Sequence, residues 1–164
     1  MTDTKELVAE LVRVEVEREG GESLVSLELH PGPKLLDELR RQIDLDSSIY
    51  LFMRDSDEPL ENVDEKRRNL KLIAHRLKSI EVVVRYEHRE EKRKFAPSAT
   101  ILKVLQWATH PNVFGIDPAI VPKANLIVPG AENPLPRDQL VGTIPSEDCD
   151  RLVLDLTFRD FNNG

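Results

Sequence analysis

Alternating apolar and charged residues mark the first predicted strand of the chain. Over residues 11–18, valines at every second position alternate with charged side chains, which predicts a strand with one buried face. Gly20 and Gly21 follow at a predicted hairpin turn, because glycine accepts a positive φ without steric cost. After Pro33, apolar residues recur at helical spacing and predict an amphipathic helix across the hairpin. The other predicted elements of this half are strands over 24–29, 49–53 and 70–74 and a short strand at Leu60.

The same order of elements restarts near residue 80. Alternation over 80–86 predicts a strand, and Ser98 is predicted to cap a second helix with an apolar stripe from Ile101 to Ala108. The other predicted elements are a charged turn over 87–92, a returning strand over 93–96 and strands over 126–128, 139–141 and 152–158.

This doubled order predicts an α+β fold with two tandem modules. We place the domains at residues 1–78 and 79–164. The joint near residues 77–79 is too short to act as a flexible linker, so we expect the modules to contact each other. Trp107, the single tryptophan, lies off the helix stripe. We expect it to pack between the modules rather than to form part of a partner-binding surface.

Composition and charge exclude several classes of protein. With 23 basic and 30 acidic residues the net charge is −7, whereas nucleic-acid binding relies on clustered Lys and Arg, so no nucleic-acid partner is expected. No apolar run approaches the ~20 residues that cross a bilayer, and the polar, acidic start is unlike a secretory leader. We therefore expect a cytoplasmic protein without a membrane partner.

Few residues offer chemistry of their own. Acidic neighbours disfavour a thiolate at Cys149, so we expect a loop cysteine rather than a nucleophile. The four histidines lack the spacing of a zinc site, and no glycine-rich phosphate loop occurs. The mixed-charge run over 87–94 is predicted to be a solvated hairpin tip rather than a binding patch. The chain is therefore predicted to bind no metal and not to be an enzyme.

The order of elements resembles the β-grasp fold of ubiquitin, twice over. Residues 126–130, Leu-Ile-Val-Pro-Gly, resemble ubiquitin's Leu-Ile-Phe-Ala-Gly strand and turn, and residues 151–158 resemble its last strand. Two fused modules ending in glycine resemble the interferon-induced tandem ubiquitin-like modifier of vertebrates. They resemble more closely the tandem modifiers of bacterial antiphage ubiquitin-like conjugation operons, the Bil type. Ubiquitin ends in two glycines and has a basic tail, whereas here Asn163 precedes Gly164 and the tail carries one Arg and one Asp.

The resemblance implies a protein modifier that is joined to its targets through Gly164. An adenylating enzyme would use ATP to activate the Gly164 carboxylate, and a conjugating enzyme would carry it as a thioester until an amine of a target protein attacks. A deconjugating peptidase would mature or remove the modifier. The catalytic groups belong to these partners, so no cofactor is expected on the chain itself. The tail that the adenylating enzyme would read, predicted to be mobile and extended, consists of Arg159, Asp160, Phe161, Asn162 and Asn163.

Ile127 is a further candidate for partner binding. If Leu126 and Val128 face the helix, Ile127 points outward on the sheet, where ubiquitin offers an apolar residue to its partners. Contact with the first module is an equally weighted alternative. For the whole chain, two other functions stay open: a non-covalent β-grasp adaptor that never forms an isopeptide bond, and, less favoured, a sulfur carrier that is adenylated at a terminal glycine.

Overall fold

The computed structural model describes residues 10–21, 23–148 and 150–159. Two four-stranded sheets follow one another along the chain, each with one α-helix. The first module contains β1 (Val12–Arg18), β2 (Leu24–Leu29), α1 (Leu35–Gln42), β3 (Tyr50–Met53) and β4 (Asn69–His75). The second contains β5 (Ile80–Tyr86), β6 (Arg89–Phe95), α2 (Ile101–Ala108), β7 (Asn125–Ile127) and β8 (Arg151–Thr157). Short 3-10 turns lie at Glu19–Gly21, Val121–Lys123 and Val141–Thr143.

The two sheets have the same topology. Their strand orders are β2-β1-β4-β3 and β6-β5-β8-β7, so the first strand of each module lies beside its last strand. These central pairs, β1 with β4 and β5 with β8, are parallel, and the outer pairs are antiparallel. The predicted α+β fold with two tandem β-grasp modules is confirmed. The domain boundary at 78/79 falls between β4 and β5 and stays a prediction.

Each module has its own aliphatic core between sheet and helix. In the first, the alternating valines of β1 pack with Leu35 and Leu39 of α1. In the second, Val82 and Val84 of β5 pack with Ile101 and Val104 of α2. Burial of these faces gives the main favourable free energy of folding for a chain with few aromatic residues.

Four local predictions were wrong. No strand forms at Leu60, whose amide instead donates one hydrogen bond to the Leu51 carbonyl. Residues 139–141 make one bridge and then a 3-10 turn. The charged turn is only the two residues between Tyr86 and Arg89. The charged residues after it belong to a solvent-exposed edge strand that pairs with β5. Thr100, not Ser98, caps α2, and its hydroxyl oxygen accepts a hydrogen bond from the Lys103 amide.

The expected contact between the modules is confirmed. Phe52 and Ile73 of the first module share a buried apolar cluster with Ala96 and Leu140 of the second. We call the contact region around this cluster the seam.

Polar contacts surround the seam cluster. The Asp55 amide donates a hydrogen bond to the Ser98 carbonyl at 3.0 Å, and the Ser98 hydroxyl donates to the Ser56 carbonyl. The ammonium of Lys103 lies 2.8 Å from a carboxylate oxygen of Asp57. Ser98 therefore joins the modules, which explains why its hydroxyl does not cap α2.

Close backbone approach at the seam requires small residues. A Cβ added to Gly142 would lie 2.7 Å from Pro97 Cβ and 2.8 Å from Ile73 Cδ1. A Cβ added to Gly21 would lie 2.7 Å from the Thr143 carbonyl oxygen. All three distances are shorter than van der Waals contact allows, so side chains at these positions would push the modules apart.

Candidate functional site: the outer sheet faces and the route to the tail

Matching hydrogen bonds define equivalent positions in the two modules. The Leu60 amide donates to the Leu51 carbonyl at 2.6 Å, and the Leu135 amide donates to the Leu126 carbonyl at 2.8 Å. Leu51 and Leu126 are therefore equivalent, and so are the residues that follow them, Phe52 and Ile127.

The strand registers extend this equivalence across the outer faces of the sheets, which point away from the helices. In the first module, Phe52 pairs with Ile73, which pairs with Glu17. At the same positions of the second module, Ile127 pairs with Asp155, which pairs with Arg85. An apolar pair in one module thus corresponds to an ion pair beside one isoleucine in the other.

The outer face of the first module is used for contact within the chain. Phe52 and Ile73 are both 0% exposed because the second module covers them. Sequence reasoning predicted contact between the modules but not that Phe52 and Ile73 make it, although the uninterrupted apolar runs Tyr50–Met53 and 72–74 carry this signal. A strand that is apolar on both faces is buried on both faces.

The outer face of the second module carries a paired charge. Arg85 donates two hydrogen bonds to the Asp155 carboxylate, at 2.7 and 3.1 Å. The bidentate Asp155 carboxylate raises the pKa of Arg85, so the guanidinium stays charged. Val83 and Val153 pair in register on the same face. Val83 is only 2% exposed, so this outer face presents little apolar surface to solvent and carries a fixed ion pair.

Ile127 lies on this outer face, as predicted, and the sequence left exposure and contact with the first module as equal alternatives. Only 7% of Ile127 is exposed. It lies beside Asp155 and close to the Arg85 side chain, and the aliphatic parts of long side chains shield neighbouring apolar atoms. Its partner-binding role stays a prediction.

The last described residues lead from this module toward the tail. Phe158 packs edge-on against Tyr86, with ring centroids 5.6 Å apart. The Arg159 amide donates a hydrogen bond to the Thr157 hydroxyl at 3.2 Å. Of the predicted site residues, Asp160, Phe161, Asn162, Asn163 and Gly164 lie outside the described residues, as does Cys149.

Trp107 packs within the second module and not between the modules. Its ring lies edge-on against Phe95, with centroids 5.7 Å apart, and it borders the core of that module. The preference for packing is thus confirmed, whereas the predicted location was wrong. Trp107 thus joins α2 to the last residue of β6, Phe95, which precedes the seam residue Ala96.

A buried histidine, His75, lies at the seam and was not singled out by sequence reasoning. It is only 3% exposed. Its Nδ1 accepts a hydrogen bond from the Leu77 amide at 3.0 Å, and its Nε2 lies 3.4 Å from a Glu19 carboxylate oxygen. Burial lowers the pKa of His75, against the opposing effect of the Glu19 carboxylate, and Arg76 lowers it further. His75 is therefore neutral at neutral pH, with the proton on Nε2.

The described part of the chain holds no group of three or more His, Cys, Asp or Glu side chains placed to bind a metal ion. Within the same residues, no helix has the length and apolar character that spanning a bilayer requires.

Both sheets and both helices have the arrangement of two tandem ubiquitin-like domains. Residues 81–159 match the family model for BilA ubiquitin-like domain 2. This match supports a Bil-type ubiquitin-like modifier and confirms the resemblance that the sequence indicated. A comparison with curated proteins finds no match.

Proposed function

We propose that the chain is a Bil-type protein modifier that is activated at Gly164 and conjugated to amines of target proteins. The observation that carries the proposal is the match of residues 81–159 to BilA ubiquitin-like domain 2, followed in sequence by a tail that ends in glycine. Glycine lacks a Cβ, so its carboxylate can enter a narrow adenylation site and its carbonyl stays open to attack.

The chemistry would be supplied by partner enzymes. An adenylating enzyme would join the Gly164 carboxylate to AMP from ATP with release of pyrophosphate. A cysteine thiolate would then displace AMP to form a thioester, and a target amine would displace the thiolate to form an amide. The chain itself would act as a substrate and not as an enzyme. If residues follow Gly164 in a precursor, a peptidase would have to remove them first.

The two modules would have different roles, and only the second would be recognised by the partner enzymes. The outer face of the first module is covered at the seam, so it is not free to bind a partner at Phe52. The second module carries the tail and an outer face that Phe52 and Ile73 do not cover. We place recognition by the adenylating and conjugating enzymes on the second module, at the tail from Arg159 onward and at the surface around Ile127. The first module would add fixed bulk to a modified target.

Conjugation would serve antiphage defence in the bacterial cytoplasm, by analogy with the Bil-type resemblance. Attachment of a rigid two-module body would obstruct assembly of a virion component. This part of the proposal predicts that cells expressing the chain with its conjugation enzymes resist phage infection, and that cells with a chain lacking Gly164 do not.

The direct biochemical test compares conjugates from the full chain with those from a chain that lacks Gly164. Cells that contain the adenylating and conjugating enzymes should yield isopeptide-linked conjugates only with the full chain, detected by mass spectrometry of branched peptides. A Cys149→Ser variant serves as the matched control and should conjugate normally, since Cys149 has no role in the proposal. Equal conjugate yields with and without Gly164 would overturn it.

Two other functions predict different outcomes of the same experiment. A non-covalent adaptor would bind its partners equally with or without Gly164 and would give no branched peptides. A sulfur carrier would give a thiocarboxylate at Gly164, a replacement of oxygen by sulfur that intact mass measurement resolves. The doubled modules and Asn163 before Gly164 favour conjugation over sulfur transfer, because such carriers are generally single modules that end in two glycines.

A further inference from the structure

The edge strand β6 differs from the edge strands β3 and β7 in its open backbone, and from the edge strand β2 in its charge. It lies at the end of the order β6-β5-β8-β7, so half of its backbone N–H and C=O groups point away from β5. Among the described residues, no backbone hydrogen bond joins Arg89–Phe95 to an element other than β5. The edges at β3 and β7 are instead partly closed by the Leu60 and Leu135 amides. β6 is therefore an open, seven-residue template for another strand.

Charge along β6 is sorted and not evenly mixed. Near the turn, the acids Glu90 and Glu91 follow Arg89, which contacts Glu91 and donates to the Val113 carbonyl. The cations Lys92, Arg93 and Lys94 lie near the seam. The equivalent strand β2 carries one acid and no base. The predicted solvated hairpin tip thus describes only the first half of the mixed-charge run over 87–94.

Further cations from other elements extend the basic end of β6. Lys78 from the joint and Lys103 from α2 line the same concave surface of about 290 Å³ as Arg93 and Lys94. Two acids offset this charge, since Asp57 contacts Lys103 and Glu81 pairs with Lys94. Four cations at this surface thus stand against two acids, a local positive excess on a chain of net charge −7.

The arginine at the centre of this surface is held in place. The Arg93 guanidinium lies 4.8 Å from the centroid of the Phe95 ring, and Phe95 is in turn supported by Trp107. Stacking of this kind orients a guanidinium and leaves its N–H groups able to bind carboxylates in a bidentate manner.

We propose that β6 binds an extended acidic segment of a partner protein as an added strand, with its carboxylates over Lys78 and Arg93. Main-chain hydrogen bonds to the open edge would supply affinity, and the sorted cations would select an acidic sequence and fix its position. This site requires neither Gly164 nor the outer sheet face. Its test is therefore independent of conjugation.

The test measures binding of a fluorescein-labelled peptide of about eight residues, alternating Glu and Val, which matches the length of a typical strand. Fluorescence anisotropy at about 50 mM salt, where screening is weak, should show saturable binding to the full chain. A peptide with Lys in place of Glu should not bind. A peptide with N-methyl groups at alternate amides should bind roughly tenfold more weakly or worse, because it cannot pair with the edge.

Matched variants separate this site from a general effect of charge. Lys78→Glu/Arg93→Glu should weaken binding of the acidic peptide roughly tenfold. Lys34→Glu/Lys123→Glu changes the net charge equally at distant exposed positions and should leave binding unchanged. Circular dichroism checks the fold, and Lys78→Gln/Arg93→Gln replaces the reversal variant if that variant unfolds. Unchanged binding of the N-methylated peptide, equal losses in both variants, or tighter binding of a single-stranded oligonucleotide would each overturn the proposal.

Discussion

The two modules share one topology but use the same surface in opposite ways. On the outer face of the first module, Phe52 and Ile73 pack against the second module. At the equivalent positions of the second, Ile127 lies beside the Arg85–Asp155 ion pair. In the first module, an apolar pair at this position packs against the neighbouring module. In the second module, an ion pair at the same position is partly exposed to solvent. The difference indicates that the apolar pair fixes the first module against its neighbour; the second module is the one at which we propose that partners bind.

The largest effect in this comparison is expected from truncating the two equivalent apolar residues. Phe52→Ala should lower the free energy of unfolding by about 3–5 kcal/mol, because it removes a ring that both modules enclose. Ile127→Ala should cost only about 2 kcal/mol, since Ile127 belongs to the outer face and not to the seam. Urea denaturation followed by circular dichroism measures both. Equal losses would contradict the assignment of Phe52 to a contact between modules.

A smaller effect is expected from a side chain placed at Gly142. Gly142→Val should cost about 1–3 kcal/mol, because its Cβ would overlap Pro97 and Ile73. The change should also speed hydrogen exchange of the Asp55 amide, which donates across the seam. Ala131→Val, at an exposed loop position, is the matched control and should change neither quantity. Unaltered exchange at Asp55 in Gly142→Val would show that the seam does not depend on this close approach.

The two helices differ in their caps, which predicts a loss of about 1 kcal/mol in one module alone. Thr100→Ala should destabilise the chain by about 1 kcal/mol, because it removes the hydroxyl that accepts from the Lys103 amide. Lys34, at the same position before α1, makes no capping hydrogen bond with its side chain. Lys34→Ala should therefore leave the free energy of unfolding unchanged. A cost for Lys34→Ala as large as that for Thr100→Ala would contradict this difference.

The smallest expected effect is a change in the free energy of unfolding with pH, caused by protonation of His75 at the seam. Burial lowers the pKa of His75 in the folded chain, so below about pH 6.5 the unfolded chain binds more protons than the folded one. The free energy of unfolding should accordingly have nearly its full value at about pH 7.5 and be lower at about pH 5.5. A proton on Nδ1 would also remove the acceptor for the Leu77 amide.

The control for the pH prediction is His75→Asn, whose side-chain oxygen can accept the Leu77 amide but does not titrate. Urea denaturation at both pH values should show a flatter pH dependence for this variant than for the native chain. His88→Asn, at an exposed turn position, should retain the native dependence. Identical dependence in the native chain and in His75→Asn would mean that another group is responsible.

Sequence patterns predicted the parts of the fold that depend on one-sided burial. The valines of β1 and the stripe of α2 alternate or recur with the period of their element, so the element and its buried face follow directly. β6 was underpredicted because an edge strand exposed on both faces has no apolar period to reveal it. Serine is a favoured residue at helix N-caps, which is why the sequence predicts a cap at Ser98. Its hydroxyl instead donates a hydrogen bond to the Ser56 carbonyl of the first module.

The surfaces were harder to predict than the cores. Exposure of Ile127 depends on which side chains cover it, and the strand pattern gives only the side on which it lies. The seam depends on long-range packing of Phe52 and Ile73, for which two-sided apolar runs were the sole local signal. The tail from Asp160 to Gly164 was assigned by resemblance, and its role remains a proposal.

The central claim, activation of Gly164, is tested most directly by incubating the chain with the adenylating enzyme of its own source and ATP. Separation by non-reducing gel electrophoresis should show a species of combined mass that disappears on addition of a thiol reductant. Omission of ATP, or deletion of Gly164, should abolish it. A chain without Gly164 that forms the same reducible species, or a full chain that forms none with an enzyme active on another modifier of this type, would contradict the account.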